Sequence, residues 1–157
     1  MKRAKYLGFA AVLAAVDQII KSFVRRALEG QVFFTLSPLF ELRRVTNTGA
    51  AFSLLSSGQA LVMLISCSLM VMLAVWLLRE KKLSRAACLS VAGILGGGLG
   101  NLLDRIFFGG VTDYINLLPI RFPIFNFADI CITLSVGALV WQILFDRTTE
   151  KTEEHHG

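Results

Sequence analysis

Residues Ala60–Leu78, which read ALVMLISCSLMVMLAVWLL, contain no charged side chain. At about 1.5 Å per residue, a helix over these positions spans roughly 28 Å, close to the thickness of the hydrocarbon core of a bilayer. The stretch therefore predicts a membrane-spanning helix. Similar apolar stretches occupy residues 6–24, 86–103 and 127–145, and together the four predict an all-α membrane protein with one domain over residues 1–147.

The composition agrees with a membrane setting. Of the 157 residues, 55% are hydrophobic and only 17% are charged, which is far more apolar than a typical soluble domain. The net charge is +5, but the basic residues lie between apolar blocks and form no stripe with aromatic side chains. Nucleic acid is therefore not an expected partner.

The cysteines and histidines predict neither a metal site nor a cofactor. Cys67, Cys88 and Cys131 each lie inside an apolar block, without metal-ligand spacing or the pattern of a disulfide framework, so we interpret them as packing residues. His155 and His156 lie in residues 148–157, which we expect to form a disordered polar tail in the cytoplasm.

The first apolar block admits two interpretations. Tyr6–Val16 follows three basic residues, which is the arrangement of a cleaved secretory signal peptide. The apolar pattern resumes and continues to Val24, however, which favours a first membrane span over residues 6–24. Within it, Asp17 and Lys21 are one helical turn apart and can pair on one face, which lowers the cost of placing them in a membrane.

Positive charge predicts the orientation of the spans. Basic residues crowd the amino terminus and the short loop Arg79–Arg85, so both should be cytoplasmic, and both termini then lie inside. The first loop, residues 25–59, carries four arginines that the same rule would keep inside, but the other segments outweigh it. Within this loop, the β-prone stretch Val32–Val45, broken by Pro38, predicts a small extracytoplasmic β-sheet between helices 1 and 2.

Glycines in the third apolar block predict close helix packing. Gly93 and Gly97 are four residues apart, as are Gly96 and Gly100, and such spacing lets another helix approach closely. A phosphate-binding loop is the alternative, but no Lys-Ser/Thr follows these glycines and no strand precedes them.

Four aspartates share one depth in the predicted topology, towards the outer end of the spans. Asp17 lies in the outer half of the first span, Asp104 ends the third, Asp113 follows it, and Asp129 opens the fourth, whereas Asp146 is a flanking charge at the cytoplasmic end. A carboxylate costs about 2.5–3.5 kcal/mol at the centre of a membrane and less near its surface, so each invites a functional explanation.

Local pairing is the structural alternative to a function. The adjacent Arg105 makes pairing the favoured explanation for Asp104, whereas for Asp17 the two explanations stay open. Asp113 and Asp129 have no basic residue within four positions, so for them a shared function is favoured.

Two carboxyl groups held close in a low-dielectric site cannot both ionise easily, so one keeps a proton. The ionised member can take a proton from a water that attacks a peptide carbonyl, and the protonated member can donate a hydrogen bond to the carbonyl oxygen. Zinc and serine peptidase mechanisms lack the residues they need, since the sequence has no His-Glu-x-x-His motif and no histidine within the spans. We therefore predict carboxylate-driven hydrolysis by Asp113 and Asp129.

Five segments, in order, give the chain a family resemblance. They are Asp17 with Lys21, Val45–Ser53 (VTNTGAAFS), Gly100–Arg105 (GNLLDR), Val111–Ile115 (VTDYI) and Phe125–Asp129 (FNFAD). From Asp17 to Ile130, the sequence resembles the bacterial lipoprotein signal peptidases, also called type II signal peptidases. One such motif is weakly specific, but five in this order on a four-span chain are highly specific.

The resemblance implies that Asp113 and Asp129 are the catalytic pair, which is also the pair indicated by depth and by the lack of local partners. It further implies residues that line or support the substrate site: Asp17, Lys21, Asn47, Gly49, Asn101, Asp104, Arg105, Asn126 and Ala128. For the asparagines, a purely structural role in capping or bridging helices explains the residues equally well.

The resemblance also implies a reaction and a place in the cell. Members of this family remove the signal peptide of prolipoproteins, cleaving just before a cysteine that carries a diacylglyceryl group. The expected partners are therefore lipidated prolipoproteins and membrane lipids. We expect a monomer in the bacterial inner membrane, with the active site at the outer face and a β-sheet cradle on the membrane surface.

A small proton- or ion-coupled membrane transporter is the main alternative, since buried aspartates also mark ion pathways. A proton relay should place ionisable groups across the full depth of the membrane, and a transporter usually shows internal repeats, but the sequence has neither pattern. A noncatalytic scaffold protein, favoured by the glycines of the third block, leaves Asp113 and Asp129 unexplained.

Overall fold

The computed structural model describes residues 3–49 and 58–153. Four helices form most of this part: α1 (Ala4–Val24), α2 (Gly58–Arg79), α3 (Arg85–Phe108) and α4 (Phe127–Glu153). Each of the four is long and apolar enough to cross a membrane. The predicted membrane fold with four spans is therefore confirmed.

Two helices continue beyond their predicted spans. Helix α3 ends at Phe108, where Gly109 adopts the left-handed conformation with φ of 73°, so Asp104 and Arg105 lie within its last turns. Helix α4 continues to Glu153, and residues 154–157 lie outside the described residues. The predicted disorder of residues 148–157 therefore stays a prediction.

Helix α3 is the centre of the bundle and packs against the three other helices. A Cβ atom added at Gly97 would lie 2.5 Å from the carbonyl oxygen of Ala128 in α4, and one added at Gly96 would lie 2.8 Å from that of Ala10 in α1. The glycines thus form two faces with different neighbours: Gly93 and Gly97 towards α4, and Gly96 and Gly100 towards α1. The predicted packing role of these glycines is confirmed.

The outward surfaces of the bundle are apolar. Large side chains such as Phe9 in α1, Leu64 in α2 and Trp141 in α4 are exposed, as expected for helices that contact lipid. The three cysteines of the chain are free thiols, which agrees with their interpretation as packing residues.

Three antiparallel strands form one small sheet in the order β1 (Val32–Leu36), β2 (Phe40–Asn47) and β3 (Val111–Leu117). The prediction that the sheet lies between helices 1 and 2 is correct for β1 and β2 only, because β3 belongs to the connection between α3 and α4. Strand β2 pairs with β1 along one edge, and β3 supplies the backbone hydrogen-bond partners along its other edge. This pairing sets Asp113 opposite Val45 in the register.

We expect Gly97→Ala to lower the apparent melting temperature of the protein in detergent micelles. The added methyl group forces α3 and α4 apart, and overpacking of this kind costs about 1–3 kcal/mol. Thermal unfolding followed by tryptophan fluorescence measures the change.

Gly137→Ala in α4 is the matched control, because an added Cβ atom there meets no atom within 4 Å. Alanine at such a compatible position stabilises a protein by about 0.4–1 kcal/mol, so this variant should melt at the same temperature or higher. If Gly97→Ala melted as Gly137→Ala does, the close approach of α3 and α4 would be contradicted.

Candidate active site

Side chains from β3, from α1 and from the residue before the helix fix the start of α4. The backbone N–H groups of residues 127, 128 and 129 donate to the Tyr114 hydroxyl of β3, to Asp17 Oδ1 of α1 and to Asn126 Oδ1, at 3.2, 3.1 and 3.0 Å respectively. The first N–H groups of a helix have no partner within the helix, so these contacts satisfy them. They also tie α4 to the sheet and to α1.

Asn126 and Asp129 form a reciprocal cap at this helix end. Asn126 Oδ1 accepts from Asp129 N, and Asp129 Oδ2 accepts from Asn126 N at 3.1 Å. This is the arrangement of a capping box, in which the acidic side chain reaches back to the residue before the helix. The Asp129 carboxyl group is thereby held at the positive end of the α4 dipole.

Asp113 and Asp129 line one cavity of about 520 Å³, and Asn126 connects them. Its Nδ2 donates to Asp113 Oδ1 at 2.6 Å, while its backbone N donates to Asp129 Oδ2 at 3.1 Å. The other oxygen of each aspartate also has a donor: Asn47 Nδ2 lies 3.0 Å from Asp113 Oδ2, and Asn101 Nδ2 lies 2.8 Å from Asp129 Oδ1. Two aspartates from separate segments therefore line one cavity, and the three predicted asparagines donate to their oxygens.

The remaining walls of this cavity are largely apolar. They include Leu117 of β3, Phe122 and Phe125 of the following loop and Leu134 of α4. A water-poor surrounding of this kind penalises a charged carboxyl group.

The ionisation of Asp113 reflects this surrounding, because the residue is only 3% exposed. Burial raises the pKa of Asp113 to about 6, against the lowering effect of the hydrogen bonds from Asn47 and Asn126. Burial likewise raises the pKa of Tyr114 to about 12, so its hydroxyl group stays neutral where it accepts from α4.

The fully buried ammonium group of Lys21 is linked to Asp129 through Asn101. Lys21 Nζ lies 2.9 Å from Asp17 Oδ2, 3.4 Å from Asp104 Oδ2 and 2.8 Å from Asn101 Oδ1. The predicted pairing of Asp17 with Lys21 is therefore present. Asp17 Oδ2 meets no hydrogen-bond donor at a suitable angle, so its contact with Lys21 is best described as an ion pair.

The expectation that Asp104 pairs with Arg105 is wrong. Asp104 pairs with Lys21 and with Arg25 Nη1, which lies 3.0 Å from Asp104 Oδ1. Adjacent residues of a helix do not face each other, so Arg105 points elsewhere. Its Nη1 donates to Asn101 O at 3.3 Å, and it lines a second groove of about 340 Å³ with residues of α2 and α4.

Two further predicted residues act through their backbone. Gly49 has φ of 75°, a conformation that favours glycine, and its N–H donates to Asn47 Oδ1 at 3.0 Å, which orients Asn47 towards Asp113. Ala128 is fully buried and offers its N–H to Asp17. The other motif residues that follow Gly49, numbers 50–53, lie outside the described residues.

Sequence reasoning missed Gln18, Arg25, Thr112 and Tyr114. Gln18 Nε2 donates to Asp104 Oδ1 at 3.0 Å, and Thr112 N donates to Asp104 Oδ2 at 2.7 Å. The helical spacing of Gln18 and Arg25 from Lys21 places them on its face and was a usable signal. Nothing in the chain around Thr112 and Tyr114 signals their contacts, which depend on the pairing of β3 with β2.

The fold and the site define a four-span membrane protein with paired carboxyl groups in a cavity where helices and sheet meet. Residues 9–145 match the family model described as signal peptidase (SPase) II. The chain therefore belongs to the signal peptidase II family, which is a family of proteases, and it is a bacterial multi-pass membrane protein. The resemblance read from the five motifs is confirmed, and a transporter is not the class that this match supports.

Similar proteins cover nearly the whole chain. The lipoprotein signal peptidase of Parasynechococcus marenigrum (strain WH8102) is 37% identical over 158 residues, covering 100% of this chain and 97% of the relative. That of Pseudomonas aeruginosa (strain UCBPP-PA14) is 35% identical over 163 residues, covering 99% and 95%. A solved structure described as a bacterial membrane enzyme, obtained by the in meso method at 1.9 Å, shares the fold with a TM-score of 0.84 at 24% identity, covering 91% of this chain and 94% of that chain.

We expect Asn126→Ala to destabilise the protein more than the loss of a helix cap alone. A lost cap costs about 1 kcal/mol. The change also leaves Oδ1 of the buried Asp113 without its donor and Asn101 Oδ1 with Lys21 alone, and an unsatisfied buried group costs about 1–3 kcal/mol more. Apparent melting temperatures in detergent compare the variants.

Ser84→Ala is the matched control. Ser84 caps α3 by accepting from Ala87 N at 3.0 Å, and its other hydrogen bond, to Gln142, is exposed. This variant should show the cost of the cap only. Equal losses in the two variants would contradict the bridging contacts assigned to Asn126.

Proposed function

We propose that the protein removes the signal peptide from prolipoproteins whose cysteine carries a diacylglyceryl group, cleaving just before that cysteine by an aspartic mechanism. The observation that carries this proposal is that Asp113 and Asp129 share one cavity and are joined by Asn126. The substrate class is supported by relatives named lipoprotein signal peptidase that match the chain over nearly its full length.

Asp113 holds the proton and Asp129 is the base in this mechanism. Asp113 is the more buried of the two, and burial raises its pKa to about 6. Asp129 lies at the amino end of α4, where the helix dipole and the N–H of Asn126 stabilise negative charge. The two environments thus separate the roles of acid and base.

The reaction needs only these two groups and one water. The water oxygen attacks the scissile carbonyl carbon while Asp129 takes a proton from the water, and Asp113 gives its proton to the carbonyl oxygen. When the tetrahedral intermediate collapses, the C–N bond breaks, the leaving nitrogen takes the proton from Asp129, and Asp113 recovers a proton from the hydroxyl group that becomes the new carbonyl.

The second groove suits a lipidated substrate. Arg105 and Asn101 lie at its polar part, and its other walls include Leu69, Met70 and Leu73 of α2. The Arg105 guanidinium group offers several donors in a fixed plane and is suited to a carbonyl or ester oxygen of the substrate. Asn47 is exposed beside Asp113 and is suited to hydrogen-bond substrate backbone.

We further propose that both termini are cytoplasmic and that the cavity lies at the outer face. Arg3 donates to Leu77 O at 3.2 Å and to Lys81 O at 2.8 Å, so the amino terminus and the basic loop after α2 lie at one end of the bundle. Two clusters of positive charge at the same end support its cytoplasmic position.

The arginines of the first loop do not oppose this orientation, because they have partners within the protein. Arg25 pairs with Asp104, and Arg26 lies over the Phe23 ring. Arg43 donates to Gly30 O, and Arg44 donates to the Arg25 and Ala27 carbonyl oxygens beyond the end of α1. We infer that these side chains are used to build the junction of α1 and the sheet.

Asp113→Asn and Asp129→Asn should each stop cleavage of a lipidated precursor, because either change removes one of the two proton-carrying groups. Loss of a single member of such a pair costs on the order of 1,000-fold or more in turnover. Purified protein in detergent, with a diacylated precursor as substrate, measures the rate, and an unlipidated precursor tests the substrate class.

Glu41→Gln is the control, since this carboxylate accepts from Asn116 in the sheet and lies outside the cavity. It should leave turnover unchanged. Normal turnover by either aspartate variant would end the mechanism, and equal cleavage of both precursors would end the proposed substrate class.

The pH profile of kcat/KM should fall on its alkaline side with an apparent pKa near 6. A group that must be protonated supports turnover below its pKa, and this support is lost as the pH rises through that value. The hydrogen bond from Asn47 lowers the pKa of Asp113, so Asn47→Ala raises it and shifts the alkaline limb to higher pH.

Asn116→Ala is the control for this shift, because Asn116 is also in the sheet but donates to Glu41. The pH at which the alkaline limb falls tests whether Asp113 holds the proton, even if Asn47→Ala also lowers the maximal kcat/KM. A limb that stayed in place or moved to lower pH in Asn47→Ala would show that Asp113 is not the proton-holding member.

A further inference from the structure

Lys21 is linked through two carboxylates to the backbone beside Asp113 and to the backbone beside Asp129. Its ammonium group touches Asp17 and Asp104, and each of these carboxylates also binds a backbone N–H. Asp17 Oδ1 accepts from the N–H of residue 128, immediately before Asp129, at 3.1 Å. Asp104 Oδ2 accepts from the N–H of residue 112, immediately before Asp113, at 2.7 Å.

The surrounding residues fix the orientation of each carboxylate. At Asp104, Gln18 and Arg25 occupy Oδ1, both at 3.0 Å, which leaves Oδ2 for Lys21 and the backbone of β3. At Asp17, the absence of a side chain on Gly100 leaves room for Oδ2, since a Cβ atom there would lie 2.5 Å from it. Both carboxylates are fully buried, so water does not compete for these contacts.

Lys21 also reaches the site through a side chain. Asn101 Oδ1 accepts from Lys21 Nζ at 2.8 Å and from Asn126 Nδ2 at 3.1 Å. With its oxygen occupied by two donors, Asn101 can present only its Nδ2 to Asp129. The orientation of this amide group therefore depends on the buried cation.

We propose that Asp17, Lys21 and Asp104 form a positioning clamp that sets the separation of Asp113 and Asp129. The two carboxylates hold the N–H of the residue before each aspartate, Ala128 in α4 and Thr112 in β3, and the ammonium group joins the two carboxylates. This inference rests on the proposed function, in which both carboxyl groups act on one water. A misplacement of about 1 Å at such a pair costs about 100-fold in rate.

Helix packing alone does not account for these charges. Apolar residues of similar volume hold helices together as well as a buried ion cluster does, without the cost of removing charges from water. What the carboxylates add is a direction: each accepts a particular N–H group that an apolar side chain cannot bind. The two N–H groups chosen are those beside the two catalytic positions.

Amide hydrogen exchange tests the clamp without any need for turnover. Lys21 and the N–H of Ala128 bind different oxygens of Asp17, so the single acceptor oxygen of Asp17→Asn stays with Lys21 and the bond to Ala128 is lost. Lys21 and the N–H of Thr112 share Oδ2 of Asp104, so the variant at that position is Asp104→Leu, which is of similar size and has no acceptor. We expect exchange at the one affected amide to be faster by about tenfold or more in each variant. Lys21→Met should speed exchange at both amides.

Kinetics on the same purified proteins give the second readout. Each clamp variant should lower kcat on the lipidated precursor by about 10- to 100-fold and leave KM within about threefold, because the substrate still binds. Glu41→Gln, outside the clamp, should change neither. A merely structural role would instead speed exchange at all slow amides together and leave kcat per folded molecule unchanged.

The outcomes separate the clamp from the proposed function. Inactive Asp113→Asn and Asp129→Asn, combined with unchanged kcat and unchanged exchange in the Asp17 and Asp104 variants, overturn the clamp alone. Active dyad variants overturn the proposed mechanism, and the exchange pattern still decides the clamp. If Lys21→Met does not fold, Asp17→Asn and Asp104→Leu, which are close in size to aspartate, carry the test.

Discussion

Charged and polar groups buried between membrane helices are stable only when other protein groups bind them, and the whole site follows from this constraint. The Lys21 ammonium group is fully buried and has three polar partners, supplied by α1 and α3. Its two carboxylate partners extend the network to α4 and to β3. Satisfying one buried cation therefore joins three helices and a strand in a single arrangement.

Close packing around α3 makes this network possible. Side chains as short as aspartate and asparagine bridge neighbouring elements only where the backbones approach closely. Gly96 and Gly100 allow this approach to α1, and Gly93 and Gly97 allow it to α4. Asn101 and Asp104 lie on the turn that follows these glycines, where three elements are within reach. Packing and polar contacts thus depend on the same helix.

The sequence predicted whatever depends on one segment at a time. The four spans follow from apolar length, the glycine faces from spacing, and the Asp17–Lys21 pair from one helical turn. Contacts between distant segments were less accessible. The motifs indicated that Asp113 and Asp129 belong together, but the register of β3 with β2, which sets Asp113 beside Asn47, has no local signal. Proximity in sequence suggested Arg105 for Asp104, although helix geometry turns adjacent side chains apart.

Ionic residues and asparagines have different roles at the site. The ionic groups bind backbone N–H groups and so determine where the chain carries each aspartate, whereas the asparagines bind the carboxyl oxygens and so determine how each group is turned. Asn126 does both, since its Oδ1 caps α4 while its Nδ2 donates to Asp113. Each oxygen of the pair accepts one described donor, and a carboxyl oxygen has two lone-pair directions. The second direction of these oxygens is what the site can offer to a water or a substrate.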